Sequence, residues 1–314
     1  MKEPALKKKK VAVLMGGLSR EREISLKTGK AIQKALSAKG YTALCIDVGV
    51  DVAEKIIREK IDCAFVALHG KFGEDGTIQG MLELMRIPYT GSGVLASALA
   101  LHKIMSKKLF LSEGIPTPRY EVFRKEEVDK GSLKQRSLSL PVVVKPAREG
   151  STIGVSIVRE EKEWAPALKA AAKYDEEILV EDFMKGKEIT VAILDGLPLP
   201  IIEIVPKSGF YDYHSKYTKG ETEYILPARL PRERYLAAQE MCLKAYQALG
   251  CAGCVRVDLM TDDEDRPYVI DVNTMPGMTE TSLVPKAASY AGIAFEDLVE
   301  RILLGASLKI DNGK

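Results

Sequence analysis

The sequence predicts an α/β (α+β) fold in which the first third of the 314-residue chain forms a parallel sheet. Short apolar runs typical of buried strands alternate there with segments of helical periodicity. Val11–Met15 predicts the first strand, Gly16-Gly17 turns the chain, and apolar residues recur at helical spacing over residues 24–36 until Gly40. Since strand and helix alternate, we expect parallel pairing with helices on both faces of the sheet.

The first helix carries its N-terminal signals at Ser19, Glu21 and Glu23. Serine is a favourable N-cap, and the helix dipole stabilises carboxylates in the first turn. We therefore expect this helix to begin at Ser19.

The same patterns extend to the end of the chain. Residues 92–112 predict one helix, the turn-rich segment 114–118 follows it, and a polar, tyrosine-rich stretch occupies 207–223. The other predicted elements are strands at 43–48, 63–68, 142–145, 154–158, 178–181, 189–194, 199–205, 254–260 and 268–272, a helix at 232–249 and two closing helices.

Composition restricts the classes of function. The net charge of +2 argues against a dedicated nucleic-acid binder, and we interpret the basic run Lys7–Lys10 as a solvated leader to the first strand. No segment approaches the roughly 20 apolar residues that span a bilayer, and the first apolar stretch is too short for a signal peptide. Five scattered cysteines do not form a disulfide framework, so we expect a reducing, cytoplasmic compartment and no membrane partner.

A hairpin near the C-terminus predicts a metal site. An acidic turn at 261–265 separates two apolar strands. If Asp258 lies opposite Asp271, then Arg256 lies opposite Asn273, and period-two alternation places all four side chains on one face. Opposed carboxylates repel each other unless a cation lies between them, and Mg²⁺ prefers carboxylates together with substrate phosphates. The alternative is an exposed face on which the two carboxylates are solvated.

Two other motifs are less specific. Gly91-Ser-Gly93-Val-Leu-Ala96 matches a dinucleotide fingerprint but lacks a proper preceding strand, so we interpret it as a turn into a helix. Cys251-Ala-Gly-Cys254 has no second pair or histidines at zinc spacing, so we expect these cysteines to be buried small side chains.

Five blocks of the chain carry a more specific signal because they occur together and in order. They are 16–25 (GGLSREREIS), 69–80 (HGKFGEDGTIQG), 145–151 (KPAREGS), 211–217 (YDYHSKY) and 271–279 (DVNTMPGMT). In this order they resemble the D-alanine–D-alanine ligases of the ATP-grasp superfamily, from Gly16 to about Ala291.

The resemblance implies a three-domain ATP-grasp architecture. An N-terminal parallel-sheet domain that binds substrate would cover 1–98, a central lid domain 99–184, and a C-terminal domain with the metal and substrate site 185–314. It also implies ATP and two Mg²⁺ ions as cofactors, with Mn²⁺ as an alternative metal.

The implied metal ligands are Asp258, Asp271 and Asn273. Many relatives carry glutamate in place of Asp271, and aspartate is one methylene shorter. This departure bears on how the side chain bridges two ions.

The implied nucleotide site combines lysines, a lid and an apolar slot. Lys103 and Lys145 resemble the lysines that meet the ATP phosphates, and the loop 149–152 resembles the lid over them. His102 stands where the family often has an acidic residue. The remaining nucleotide contacts are implied at Glu181, Phe183, Met184, Glu188, Phe210, Lys216, Met260 and Ile270.

The resemblance implies that two D-alanine molecules are joined in two steps, a phosphoryl transfer that forms an acyl phosphate and an attack by the second amine. Arg256 and the backbone N–H of Gly277 resemble an oxyanion site. Glu21 resembles the partner of the first ammonium, and Ser151 and Tyr217 resemble the other members of a hydrogen-bonded trio with it. Further substrate contacts are implied at His69, Lys216, Ser282 and Leu283.

Tyr217 favours D-alanine as the second substrate, because relatives that make D-alanyl-D-lactate usually lack this tyrosine. Two alternatives stay open: the same fold with D-lactate or D-serine as acceptor, or a nucleotide-binding module without turnover. The resemblance further implies a homodimer and a role in peptidoglycan precursor synthesis.

Overall fold

The computed structural model describes residues 3–131, 135–209, 211, 215, 218 and 220–310. Within them the strands form three sheets, here called the N-terminal sheet (β1–β3), the central sheet (β4–β7) and the C-terminal sheet (β8–β13). The strands are β1 (Lys10–Gly16), β2 (Thr42–Val48), β3 (Cys63–Val66), β4 (Tyr120–Arg124), β5 (Val142–Pro146), β6 (Ser156–Val158), β7 (Glu177–Asp182), β8 (Glu188–Leu194), β9 (Leu197–Pro198), β10 (Ile202–Pro206), β11 (Thr222–Ile225), β12 (Cys254–Thr261) and β13 (Pro267–Asn273). The helices are α1 (Glu3–Leu6), α2 (Arg22–Ala38), α3 (Val52–Glu59), α4 (Thr77–Leu84), α5 (Val94–Leu101), α6 (Lys103–Ser112), α7 (Lys125–Lys130), α8 (Glu161–Ala172), α9 (Arg232–Ala248), α10 (Leu283–Tyr290) and α11 (Phe295–Leu304).

The N-terminal sheet confirms the predicted parallel pairing. Its strand order is β2-β1-β3, and Val11 pairs with Ala43 on one side and Cys63 on the other. Residues 11–16 of β1 are all buried, as expected for a parallel strand covered on both faces.

The central and C-terminal sheets are antiparallel in the pairs that the structure describes, so the α+β part of the prediction also holds. The central sheet has the order β4-β7-β5-β6, and its core packs Phe123 and Ile178 against Leu168 of α8. The C-terminal sheet runs β11-β10-β8-β12-β13, with the short β9 paired to β8.

The first and last thirds of the chain share one core. Leu36 of α2 belongs to the same buried cluster as Ala288 of α10 and Val299 of α11. At the edge of this cluster, Lys39 Nζ lies 3.0 Å from Glu300 Oε2. The C-terminal helices therefore pack beside the N-terminal sheet.

The predicted single helix over 92–112 is wrong, because the chain breaks at His102. This residue leaves the helical region, with φ −86° and ψ 87°, and separates α5 from α6. The N–H of Lys103 instead donates to the carbonyl of Ala147, at 3.0 Å, and His102 Nε2 lies 3.1 Å from Glu177 Oε2. Tertiary contacts with the central sheet thus override the local helical pattern.

The predicted helix start at Ser19 is also wrong, since α2 begins at Arg22. The hydroxyl of Ser19 donates to the carbonyl of His69, at 2.6 Å, and accepts the N–H of Glu21, at 3.2 Å. Ser19 therefore joins two loops rather than capping α2. Strands β4, β9 and β11 were not predicted, and the predicted strand 199–205 corresponds to β10, which begins three residues later at Ile202.

In the described residues, no helix combines the length and apolar character needed to cross a membrane.

Candidate active site

A cleft of about 520 Å³ is lined by residues from all three sheets and their loops. Every predicted site residue within the described part of the chain lines it. Phe210, Lys216 and Tyr217 lie outside the described residues. The predicted residues that line the cleft are Glu21, His69, Lys103, Lys145, Ser151, Glu181, Phe183, Met184, Glu188, Arg256, Asp258, Met260, Ile270, Asp271, Asn273, Gly277, Ser282 and Leu283.

The C-terminal hairpin has the predicted register. Asp258 pairs with Asp271, and Arg256 pairs with Asn273. A bulge follows Asp258, where the register shifts by one residue, and consequently both Ile270 and Asp271 face the cleft. The bulge places an apolar side chain next to the paired carboxylates.

Two cationic side chains balance the paired carboxylates. Arg256 donates to both oxygens of Asp258, from Nε and Nη2, each at 2.8 Å. Lys103 Nζ lies 3.3 Å from Asp271 Oδ2. Burial tends to lower the pKa of Arg256, but the Asp258 carboxylate holds that pKa above its ordinary value. The guanidinium is therefore charged and fixed in orientation.

The described residues contain no cluster of three or more histidine, cysteine or acidic side chains that could hold a metal ion. The oxygen donors on the hairpin are instead two carboxylates, Asp258 and Asp271, and the amide of Asn273. The Oδ1 atom of Asn273 accepts the N–H of Met275, at 3.0 Å. Oxygen ligands of this kind suit a hard cation that completes its shell with phosphate oxygens and water.

A buried charge network also borders the cleft, through Lys145 and Glu181. Lys145 forms an ion pair with Glu181, and Lys107 Nζ lies 2.9 Å from Glu181 Oε2. Burial alone would raise the pKa of Glu181, but the two ammonium groups hold it below its ordinary value. Lys107 is only 1% exposed and also donates to Thr117 Oγ1, at 2.6 Å. Lys107 was not predicted as a site residue, because its ion-pair partner Glu181 is distant from it in sequence.

The loop 149–152 closes over the cleft from the central sheet. The hydroxyl of Ser151 donates to Glu21 Oε1. A Cβ at Gly150 would lie 2.9 Å from Glu21 Oε2, so glycine permits this close approach. Ser151 and Thr152 both have positive φ, 48° and 61°, which is unusual backbone geometry for residues with side chains.

On the N-terminal side, two buried ionisable groups lie near Glu21. His69 Nε2 lies 3.3 Å from Thr28 Oγ1, and burial lowers the pKa of His69, which favours the neutral imidazole. Glu74 accepts the N–H of Gly70 at 2.7 Å. Burial, helped by the charge of Glu21, raises the pKa of Glu74 to about 8. Glu74 was not singled out from the sequence, although it lies within the block 69–80.

A tight turn before α10 completes the wall of the cleft. The N–H of Thr279 donates to Ser282 Oγ at 3.1 Å, and a Cβ at Gly277 would lie 3.0 Å from the same oxygen. This geometry leaves the backbone of Gly277 beside the N-terminus of α10, where N–H groups favour anions.

Comparison with known proteins identifies relatives along nearly the whole chain. A family model described as D-ala D-ala ligase C-terminus matches residues 109–304, and one described as D-ala D-ala ligase N-terminus matches 48–92. A D-alanine–D-alanine ligase of Syntrophotalea carbinolica is 55% identical over 98% of this chain and 100% of its own length.

Solved structures give the same result. The D-alanine–D-alanine ligase of Bacillus anthracis, complexed with ATP, is 36% identical with a TM-score of 0.79, and the match covers 95% of this chain and 97% of that one. The VanG D-Ala:D-Ser ligase of Enterococcus faecalis is 30% identical with a TM-score of 0.78, over 94% and 98% of the two chains. This chain therefore belongs to the D-alanine–D-alanine ligase family.

Proposed function

We propose that the protein is an ATP-dependent ligase that joins two D-alanine molecules and releases ADP and phosphate. The observation that carries the proposal is the convergence, in one cleft, of lysines, an acidic hairpin and the Glu21–Ser151 contact. The names of the relatives, and the ATP complexed with the Bacillus anthracis ligase, support the same activity.

Lys103 and Lys145 would contact the phosphates of ATP, because their ammonium groups are point positive charges that face the cleft beside the lid. The base and ribose would occupy the slot between the central and C-terminal sheets. Its proposed contacts are Glu181, Phe183, Met184, Glu188, Met260 and Ile270, together with Phe210 and Lys216 outside the described residues.

Asp258, Asp271 and Asn273 would hold two Mg²⁺ ions, or Mn²⁺ in their place. The residues fit such ions, because their oxygens face the cleft on one rigid hairpin and are balanced there by Arg256 and Lys103. Bound metal would neutralise charge on the phosphates. Because Asp271 is one methylene shorter than glutamate, its side chain would reach the two ions differently from the glutamate that many relatives carry.

The side chains of the protein position two substrates and stabilise charge. In the first step a carboxylate oxygen of one D-alanine attacks the γ-phosphorus and ADP leaves. In the second the amine of the other D-alanine attacks the acyl carbon, loses a proton, and phosphate leaves. Glu21 would bind the first ammonium, while Arg256 and the N–H of Gly277 would stabilise the oxyanion. Asp258 prevents Arg256 from turning away, and the closed lid excludes water.

The remaining proposed substrate contacts are His69, Ser282 and Leu283 on the wall of the cleft. Tyr217 and Lys216 complete the proposed set and lie outside the described residues. Tyr217 is the residue on which the preference for D-alanine over D-lactate or D-serine depends.

The proposed activity is tested by incubating the protein with ATP, Mg²⁺ and D-alanine and measuring phosphate release. Release should exceed that in a matched reaction with L-alanine, and the product should have the mass of the dipeptide. Competition with D-serine and D-lactate, read by product mass, distinguishes the acceptors. ATP binding without ADP formation would instead identify a module without turnover.

Further proposals concern the domain division, assembly and location of the protein. We propose the domain division 1–98, 99–184 and 185–314, since each part contains one of the three sheets. A homodimer is supported by exposed apolar side chains such as Ile57 on α3 and Leu84 on α4, and light scattering in solution tests it. The cysteines are free thiols, in agreement with a reducing cytoplasm.

A further inference from the structure

Lys71 connects the N-terminal part of the molecule to the lid. It lies in the loop after β3, and its Nζ is 2.7 Å from Glu149 Oε1 and 3.5 Å from the carbonyl of Tyr174. The Glu149 side chain is 11% exposed, whereas that of Lys71 is 46% exposed. The ion pair is therefore half-buried and spans two parts of the chain that are far apart in sequence.

A second contact lies beside the first. The guanidinium of Arg20 stacks over the ring of Tyr174, with 4.9 Å between Cζ and the ring centroid. The same ring packs against Gly154, where a Cβ would lie 2.7 Å from Tyr174 Cδ2. Loops of the N-terminal sheet thus contact the segment 149–154 directly at Glu149 and, through the ring of Tyr174, indirectly at Gly154.

Glu149 transmits these contacts into the cleft. Its carbonyl accepts from Lys103 Nζ at 2.9 Å, while its carboxylate accepts from Lys71. Two residues further on, Ser151 donates to Glu21. Because both the carbonyl and the carboxylate of Glu149 are held, the backbone that follows is positioned so that Ser151 can donate to Glu21. Among the described residues, Lys71 is not one of those that line the cleft.

We propose that Lys71 and Glu149 form a latch, assisted by Arg20 on Tyr174, that holds the lid 149–152 closed over bound nucleotide. Lys71 is a positioning residue, because it acts on the lid through Glu149. The inference rests on the proposed function in that the lid must cover a nucleotide.

The test is a double-mutant cycle on the full-length protein. The variants are Lys71→Gln, Glu149→Gln and the double variant, with Lys71→Arg as the conservative replacement. Lys34→Gln is the matched control, because Lys34 is an exposed lysine on α2. The readouts are the dissociation rate of a fluorescent ADP analogue, followed by stopped flow, and KM and kcat for D-alanine.

Each single glutamine variant should release the analogue about five-fold faster than wild type. This factor corresponds to the upper end of the stabilisation that exposed ion pairs contribute, and we expect it here because the Lys71–Glu149 pair is half-buried. The double variant should be no faster than the singles, since the second change removes nothing further. Lys71→Arg should stay within about two-fold of wild type and Lys34→Gln should match it, with thermal midpoints unchanged.

The latch would be overturned if the double variant released the analogue faster by the product of the two single effects. It would also be overturned if Lys71→Gln and Lys34→Gln released the analogue at the same rate. Either result would leave the ligase assignment intact. A wild-type protein that neither binds the analogue nor forms the dipeptide would contradict the proposed function, and the latch with it.

Discussion

Replacing Lys107 by methionine should destabilise the protein through Glu181. Lys107 is 1% exposed and Glu181 3% exposed, and 2.9 Å separate the ammonium from Oε2. Removing one partner of a buried ion pair costs about 3–5 kcal/mol, because the other charge is left buried and uncompensated. Lys145 still pairs with Glu181, and methionine fills a similar volume, so we expect a loss of about 3 kcal/mol.

The assay is urea unfolding followed by fluorescence of Trp164, the single tryptophan. Trp164 packs edge-on against Phe123 in the core of the central sheet, so its signal reports the part of the molecule that contains Glu181. Lys108→Met is the matched control, because Lys108 is the exposed neighbour of Lys107 on α6, and it should change the free energy of unfolding by less than about 0.5 kcal/mol.

A coupled variant sharpens the test. Glu181→Gln should cost less in the Lys107→Met background than in wild type, because the buried lysine that would lose its partner is already absent. If Lys107→Met falls within about 0.5 kcal/mol of Lys108→Met, the reasoning from burial and ion pairing is refuted.

Three further predictions concern the cleft. Glu74 has a folded-state pKa raised to about 8 from 4.5, so its contribution to stability is full below pH 4.5 and is lost as pH rises to 8. Wild type should therefore lose stability relative to Glu74→Gln between pH 5 and 8, by up to about 1.4 kcal/mol per pH unit in urea unfolding, and a pH-independent difference would contradict this. Asp271→Asn should raise the Mg²⁺ concentration needed for half-maximal ATP-analogue binding by about ten-fold, and an unchanged midpoint would exclude Asp271 as a ligand. Ser151→Ala removes the hydrogen bond to Glu21. It should lower kcat/KM for D-alanine by at least about ten-fold, as expected for the loss of a hydrogen bond to a charged group. A change below about two-fold in steady-state kinetics would contradict a role for this hydrogen bond in catalysis.

Local patterns predicted the hairpin well. Alternation of apolar and polar residues places Arg256 and Asp258 on one face, and the pairing of Asp258 with Asp271 brings Arg256 opposite Asn273. The bulge after Asp258 could not be predicted, because a single extra residue in one strand leaves the apolar pattern almost unchanged. It is the bulge that lets Ile270 and Asp271 face the cleft together.

The amino-acid sequence alone was sufficient to predict the parallel N-terminal sheet, the pairing of Asp258 with Asp271 in the hairpin and, through its five ordered blocks, the family. These are encoded in residues close together or in motifs with characteristic spacing. The break at His102, the buried position of Lys107 and the pairing of Lys71 with Glu149 came instead from the folded arrangement of the chain. Their partners are distant in sequence: Glu149 lies 78 residues from Lys71 and 46 from Lys103. A charge or a backbone N–H is satisfied by whatever group the folded chain brings within about 3 Å, and local sequence carries no record of that group.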